Sequence, residues 1–537
     1  MPIMKKKYLI IIFIIFIVST AVRYWPVFHK GFSYNITFEN LILARNLSLT
    51  GEYKIDNEKN VILSSETIKE KGIESKIGNK GVSILYSKVF DFFGFNQKIP
   101  LYVSLFLYGI VSVLLFLLVL KLFNIWVALI FGFIDIFSPL VLQHSITAGF
   151  YEWGILFLTI ALLIYLWKEK PNLIKLFLVG LFLALASLAR NSFAIIPIVF
   201  VVYDFWNNKS IKRAAIFILP ILIVGIAYLG PDLVKKGTIE NYYANYFYVV
   251  NSQETTNDYL HVFPDSYTWY FERDAYIKSV EGTTNYDYIQ YFSQYGYPVS
   301  LKNKILMYWA SIKSYPKGLF VQTTIGGPFL IFLLVLGGFY LNEKNKKLLR
   351  LFVLWTGFLY MFLIIAKSNH WGHFISLQLP LFLLISLGIY WIIGLILKQN
   401  IRLRFKYLLV FGFVFVLFIH LVQSDKWVFH ENYLYTNVEQ ILALVDSVEK
   451  AKDTMDKKTD VIAVGFQTQA ATVINWYTDF SSVYFDSETV KKLLKEKKLQ
   501  WAFDQFGVTK VIGYDKELSE EMVKATNAEA ISDFRGF

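Results

Sequence analysis

The feature that most constrains this chain is a series of apolar runs, each long enough to cross a lipid bilayer as a helix. Hydrophobic residues make up 55% of the 537-residue sequence, a high fraction for a soluble protein of this length. The pattern therefore predicts a polytopic α-helical membrane protein with about eleven spans. The predicted spans are roughly 8–22, 99–122, 125–143, 152–167, 174–190, 192–206, 214–230, 326–342, 349–366, 374–397 and 406–423.

Basic residues between the spans predict the orientation of the chain, because short cytoplasmic loops carry an excess of lysine and arginine. When the spans alternate across the bilayer, four basic clusters and the amino terminus fall on the cytoplasmic side, and the carboxyl terminus falls outside. The first run ends at Arg23-Tyr24-Trp25-Pro26 rather than at small residues, so we expect a retained helix rather than a cleaved signal peptide. The clusters are Lys168, Lys170 and Lys175; Lys209, Lys212 and Arg213; Lys344, Lys346, Lys347 and Arg350; and Lys398, Arg402, Arg404 and Lys406.

Three large segments are then predicted to lie outside the cell membrane. They are a first loop at about 25–98, a second loop at about 231–325, and the tail after Ser424. We expect a transmembrane module at 1–424 that includes both loops, followed by an external domain at 425–537.

The tail has the pattern of a small α/β domain. Short apolar strands at 460–465, 481–486 and 508–514 alternate with helical patterns, which predicts a largely parallel sheet. No glycine-rich phosphate loop follows any of these strands, so an accessory or substrate-guiding domain is favoured over a nucleotide site.

The composition excludes several kinds of chemistry. The sequence has no cysteine, so disulfides, thiolate metal sites and cysteine nucleophiles are excluded. The net charge of +12 lies largely in the short loops, which indicates membrane orientation rather than binding of nucleic acid.

Two carboxylates are candidates for a general base that activates an acceptor hydroxyl or amine at the outer face. Glu39 lies in the first loop, and from spacing alone a solvated position early in a helix is the favoured alternative. Glu152 lies at the outer end of a span, where an ionisable group indicates a functional site; a hydrated position at the interface is equally compatible. For Asp135, deeper in its span, a helix-packing hydrogen bond near Pro139 is the favoured interpretation.

Several cations are candidates for phosphate contacts. Arg190 closes a span at its outer end and suits a lipid phosphate, although a side chain that merely reaches the interface is an open alternative. Lys367, His370 and His373 form a polar cluster on the same side. A single His-x-x-His pair without a nearby carboxylate is weak support for a metal, so phosphate or substrate contact is favoured there.

The first loop contains motifs that occur in a known order. Leu43-Ala44-Arg45, Gly51-Glu52-Tyr53 and Lys80-Gly81-Val82 with Tyr86 follow a single apolar span. This arrangement resembles the GT-C fold glycosyltransferases, in the branch of the protein O-mannosyltransferases and aminoarabinose transferases. The resemblance covers roughly residues 8–425, by pattern more than by exact motif.

One departure from the family pattern concerns the catalytic acid. Counting back from Arg45, the acidic pair of the family falls on Ile36 and Thr37, and Glu39 is the nearest carboxylate. Either Glu39 takes the role of the base in a shifted register, or another acid such as Glu152 does.

The resemblance implies a glycosyltransferase at the outer face of the cell membrane. It would take a sugar from a polyprenyl-phosphate-linked donor and pass it to a lipid, glycan or protein acceptor. No cofactor is required by the pattern, and a divalent metal is compatible with it but not demanded. A lipid-linked glycan transporter or flippase and a non-catalytic assembly factor for the cell envelope are the alternatives. The residues expected to contact the substrate are Arg45, Lys80, Tyr86, Arg190, His370 and His373.

Overall fold

The structure is a computed structural model, and it divides the chain into two compact units. The helical unit comprises Met1–Phe32, Leu101–Glu240 and Tyr308–Tyr435, and the α/β unit comprises Ser33–Pro100, Asn241–Met307 and Thr436–Phe537. The residues that the structure describes are 6–30, 35–57, 61–72, 80–145, 149, 151–167, 172–190, 193–236, 265–279, 309, 328–365, 375–399, 403–430, 438–466 and 468–531.

The helical unit is built from helices that lie along the apolar runs of the sequence. Among the described residues, three helices are long and apolar enough to cross a membrane: Ile99–Leu122, Ile211–Tyr228 and Ile375–Lys398. The number of about eleven spans stays a prediction. The helices are Lys6–Lys30, Ile99–Leu122, Ile125–Phe137, Pro139–Ser145, Glu152–Leu166, Leu173–Ala189, Ile195–Asn208, Ile211–Lys236, Pro328–Lys344, Lys346–Ile365, Gln378–Lys398 and Leu403–His430.

The run expected at 125–143 is divided into two helices. Helix Ile125–Phe137 ends at Ser138, whose backbone is extended, and a second helix begins at Pro139. Proline disfavours the helical conformation in the residue before it and is well tolerated at the first position of a helix. The break therefore follows directly from Pro139.

A chain of buried polar groups links helices within the helical unit. Arg23 donates to the backbone carbonyl of Ser19 at 2.8 Å, and the hydroxyls of Ser19 and Ser112 lie 3.0 Å apart. Ser112 donates to Asp135 at 2.7 Å, and Gln378 donates to the other carboxylate oxygen. The expected packing hydrogen bond of Asp135 is confirmed. Since buried polar groups are costly when unpaired, this chain fixes how four helices meet.

The α/β unit contains a four-stranded parallel sheet, which confirms the interpretation of the tail. The strands are β1 (Val461–Val464), β2 (Ser481–Tyr484), β3 (Val508–Ile512) and β4 (Glu529–Ala530), in the order β2-β1-β3-β4. The helices of this unit are Asn35–Thr50, Ile68–Lys71, Lys80–Phe93, Ser266–Phe271, Arg273–Ser279, Val438–Ala451, Thr468–Thr478, Ser487–Lys495, Leu499–Phe506 and Lys516–Ala525, with a short 3-10 helix at Lys452–Thr454.

Parts of both loops belong to the same α/β unit as the tail. Ile62 pairs antiparallel with Ser482 at the edge of the sheet, with N–H to O distances of 2.9 and 2.8 Å. From the second loop, Tyr267 is buried in the core of the unit, and the backbone N–H of Ser266 donates to Asp486 at 2.7 Å. The boundary expected between 424 and 425 stays a prediction, and the compact unit around the sheet contains more than the tail.

Two glycines allow close approach of neighbouring helices in the helical unit. A Cβ atom at Gly337 would collide with the backbone carbonyl of Leu384, and one at Gly388 would collide with that of Leu333. Small residues at such positions let the backbones of packed membrane helices touch. Helices Pro328–Lys344 and Gln378–Lys398 therefore depend on these two positions for their contact.

We expect Gly337→Ala to destabilise the helical unit by about 1–3 kcal/mol, because the added methyl group must push two backbones apart. Gly338→Ala is the matched control, since nothing lies within 4 Å of a Cβ atom there. Thermal unfolding of the purified full chain in detergent measures both. Equal melting temperatures for the two variants would contradict the close contact.

Candidate active site

The first loop forms a buried helix that carries two of the predicted site residues. Helix Asn35–Thr50 ends at Gly51, which has a positive φ of 76° and donates its N–H to Leu47 at 3.0 Å. Glycine adopts this left-handed conformation without strain, so it terminates the helix. Glu39 is only 6% exposed, so the structure places it away from solvent rather than in the solvated position that spacing favoured.

Arg45 is fully buried, and all three of its guanidinium nitrogens contact the protein. The group donates to the backbone and side-chain oxygens of Asn475 at 3.0 and 3.1 Å and to Asn46 at 3.0 and 3.1 Å. It also lies 3.1 Å from a carboxylate oxygen of Asp479. Burial lowers the pKa of Arg45, and the charge of Asp479 acts in the opposite direction. These contacts join helix Asn35–Thr50 to helix Thr468–Thr478, so they support a structural role; the substrate contact expected for Arg45 stays a prediction.

Lys80 and Tyr86 lie on helix Lys80–Phe93, which packs against the Glu39 helix. Ser83 donates to the backbone carbonyl of Asn40 at 3.1 Å and links the two helices. The ammonium of Lys80 lies 5.5 Å from the centre of the Tyr53 ring. Tyr86 is buried, and its hydroxyl donates to the carbonyl of Pro100 at 3.5 Å. The structure thus brings four predicted site residues onto two neighbouring helices of the α/β unit.

An aromatic cluster holds these helices against the tail. The ring of Trp476 lies 6.4 Å from Phe38, 6.4 Å from Phe90 and 5.4 Å from Phe95, measured between centroids. Aromatic rings at such distances contribute beyond the burial of their area. Together with Arg45, the cluster fixes the helix of Glu39 on the helix of Trp476.

In the helical unit, Glu152 and Arg190 meet at Tyr151. The carboxylate of Glu152 accepts from the backbone N–H of Gly149 at 2.6 Å and from that of Tyr151 at 3.0 Å. The guanidinium of Arg190 lies 4.6 Å from the centre of the Tyr151 ring and donates to its hydroxyl at 3.2 Å. Glu152 is 1% exposed and Arg190 is 6% exposed. The structure places neither side chain in the hydrated interface position that the sequence left open.

Glu152 and Arg190 both lie at ends of helices, where the helix dipole stabilises their charges. Glu152 opens helix Glu152–Leu166, and Arg190 directly follows helix Leu173–Ala189. A negative charge at the start of a helix and a positive charge at its end both complement the helix dipole. Gly154 lets the two ends pack, because a Cβ atom there would lie 3.3 Å from the Cβ of Arg190.

Sequence reasoning did not single out Tyr151 or His144. The His144 ring lies 4.7 Å from that of Tyr151, in an edge-on arrangement. Gly149 is a turn residue with a positive φ of 87°, and its backbone N–H donates to the Glu152 carboxylate. Hydrophobic periodicity does not predict a turn residue there, whereas a glycine at position 149 favours one.

Lys367, His370 and His373 lie outside the described residues. Among the residues that the structure does describe, no group of three or more histidine, aspartate or glutamate side chains could hold a metal ion. A divalent metal stays compatible with the sequence and is not demanded by it.

The fold matches solved membrane glycosyltransferases. The Archaeoglobus fulgidus oligosaccharyltransferase in its apo form aligns with a TM-score of 0.58 and 12% identity, over 98% of this chain and 72% of that one. The archaeal oligosaccharyltransferase AglB from Archaeoglobus fulgidus, in complex with an inhibitory peptide and a dolichol-phosphate, aligns with a TM-score of 0.56 and 12% identity, over 94% of this chain and 69% of that one. ArnT from Cupriavidus metallidurans in the apo state aligns with a TM-score of 0.50 and 11% identity, over 91% of each chain.

These likenesses confirm the fold that the motifs of the first loop predict. The protein has the GT-C fold of membrane glycosyltransferases. No family model and no curated protein matches the sequence, so the fold is established by structure alone.

We expect Arg45→Ala to destabilise the α/β unit by about 1–3 kcal/mol, because it leaves the buried oxygens of Asn475 without the guanidinium that donates to them. Arg45→Lys should recover only part of the loss, since an ammonium cannot reproduce the forked contacts. Lys457→Ala is the control, because Lys457 is an outlying partner of the Asp479 carboxylate at 3.5 Å and is itself 38% exposed.

Limited proteolysis of the tail and thermal unfolding measure these effects in the full chain. If Arg45→Ala resisted protease as well as Lys457→Ala does, the guanidinium would not be the link between loop and tail.

Proposed function

We propose that this protein is a glycosyltransferase that moves a sugar from a polyprenyl-phosphate-linked donor to a lipid, glycan or protein acceptor at the outer membrane face. The observation that carries the proposal is that a buried acid, Glu152, and a buried arginine, Arg190, both contact Tyr151 in a chain with the GT-C fold. The AglB structure with a dolichol-phosphate supports a lipid phosphate as the carrier of the sugar.

The reaction needs a base for the acceptor and a cation for the leaving group. The acceptor oxygen or nitrogen attacks the anomeric carbon while the bond from that carbon to the lipid-phosphate oxygen breaks. A carboxylate takes the proton of the acceptor. The negative charge that moves onto the lipid phosphate is stabilised by a cation already held in place.

Arg190 suits the second role. Its guanidinium is held against Tyr151 by stacking and by a hydrogen bond, so little reorganisation is needed when a phosphate arrives. A guanidinium also binds two phosphate oxygens at once. In this proposal Lys80, His370 and His373 add further positive or donor groups, and Tyr86 and Arg45 shape the loop around the substrate.

Glu39 and Glu152 both remain candidates for the base. Glu39 is buried on the loop helix that carries the family motif, whereas both oxygens of Glu152 are oriented by backbone N–H groups. These backbone hydrogen bonds hold Glu152 rigidly, but they occupy the oxygens that would have to accept the proton. We therefore assign the proton transfer to Glu39 and an orienting role to Glu152.

We expect Glu39→Gln to lower kcat by roughly 10²–10⁴-fold, which is the usual contribution of a general base. Glu152→Gln should cost less. Radiolabelled polyprenyl-phosphate sugars offered to the purified full chain measure the transfer, and Glu66→Gln is the control because Glu66 is exposed on the same loop.

Three other results would change the proposal. Absence of transfer from every donor tried would exclude the enzyme and favour an assembly factor. Movement of intact donor across vesicles without transfer would indicate a flippase. Full activity in Glu39→Gln with loss in Glu152→Gln would exchange the roles of the two acids.

Arg190→Gln should lower kcat by about 10²–10³-fold, as expected when a donor to the developing charge is removed. Arg190→Lys should retain part of the activity, because the charge remains without the fork. Arg404→Gln is the control, because Arg404 is exposed and lies in the first turn of helix Leu403–His430. A wild-type rate in Arg190→Gln, with unchanged thermal stability, would remove Arg190 from the site.

A further inference from the structure

A second candidate binding site lies in the helical unit, away from the Arg190 cluster. A cavity of about 340 Å³ opens between the end of helix Ile195–Asn208 and the adjoining parts of helices Pro328–Lys344 and Lys346–Ile365. Its volume is at the lower end of the range for ligand pockets, about 300–1,000 Å³. Helix Ile195–Asn208 begins just after Arg190 and ends at the cavity, so about 20 Å of helix separates the two places.

The walls of the cavity are fixed by hydrogen bonds beneath it. The hydroxyl of Tyr203 donates to the carbonyl of Lys347 at 3.0 Å and ties the two helices together. The neighbouring carboxylate of Asp204 is paired with Arg213 at 2.8 Å and accepts from Tyr165 at 3.2 Å. That charge is neutralised outside the cavity, so it does not offset the cations that line it.

The lining is positively charged on one side. Lys346 and Arg350 both line the cavity, and no carboxylate is among the lining residues that the structure describes. Asn207 and Asn342 add side-chain amides next to them. Two cations with neutral donors and no acid form a site for a phosphate group, which an arginine binds with two parallel hydrogen bonds.

The other side of the lining is apolar and exposed. Trp206 is 56% exposed and Val353 is 63% exposed, and both line the cavity. These side chains continue the apolar surfaces of two predicted spans. A free phosphate makes no use of such a surface, whereas the acyl chains of a lipid do.

We propose that this cavity binds the headgroup of an anionic phospholipid in the leaflet that faces the cytoplasm. The basic clusters that contain Lys346, Arg350 and Lys209 are the ones that the positive-inside rule assigns to that side. Anionic lipids there attract basic residues, and basic pockets between membrane helices bind their headgroups. The proposal depends on the chain spanning the membrane and is independent of sugar transfer.

The test is a titration of the purified full chain in neutral detergent with phosphatidylglycerol, followed by native mass spectrometry and thermal unfolding. Phosphatidylcholine tests the need for net negative charge, and glycerol phosphate tests the need for acyl chains. We expect phosphatidylglycerol to bind and to raise the melting temperature, and the other two to do neither at the same concentration.

Lys346→Ala combined with Arg350→Ala should weaken phosphatidylglycerol binding by about 10- to 30-fold, since each basic residue near the surface contributes roughly a factor of five. Lys175→Ala combined with Lys398→Ala is the matched control, because it removes two basic residues of the same predicted side that lie outside the cavity. Should the first double variant fail to fold, the single exposed change Lys346→Gln provides the same comparison.

Unchanged binding in the Lys346 and Arg350 variants, or equal loss in the control, would overturn the site. Equal binding of glycerol phosphate would replace the lipid by a soluble phosphate compound and also overturn the proposal. Equal binding of phosphatidylcholine would show that acyl chains alone are recognised, which contradicts a role for the two cations.

Discussion

The buried guanidinium of Arg45 is the interaction on which the α/β unit depends. It holds the helix of the first loop to the helix that precedes β2, through two asparagines and Asp479. A buried charge is tolerated only when its partners are complete. The ring cluster around Trp476 packs beside this link. The position of Glu39 is therefore set by residues of the tail as much as by its own helix.

The helical unit follows the same principle with different groups. Arg23, Ser19, Ser112, Asp135 and Gln378 form one chain of polar contacts among otherwise apolar helices. Polar contacts of this kind specify which helices meet, because apolar surfaces alone pack in many ways. Rigid helices then hold Glu152 and Arg190 at their ends, and the proposed site requires such fixed geometry.

Sequence reasoning predicted whatever depends on local pattern. The helices follow from apolar runs, and the parallel sheet follows from alternating strands and helices, since both signals lie within short windows. Other contacts join residues that are far apart in the sequence, such as Ile62 with Ser482 and Arg190 with Tyr151. No short stretch of sequence contains both partners, so local patterns do not predict these contacts. Burial of Glu39 was missed for the same reason: the side chains that cover a helix cannot be read from its own spacing.

The link between Arg45 and Asn475 joins residues 430 positions apart. During synthesis the first loop therefore emerges long before its partner exists. At about 5–20 residues per second, the loop waits on the order of tens of seconds with a guanidinium and several large rings uncovered. The α/β unit can form only after the strands and helices at 461–530 have been made. A ribosome that stops before them leaves a first loop that lacks its partners for folding.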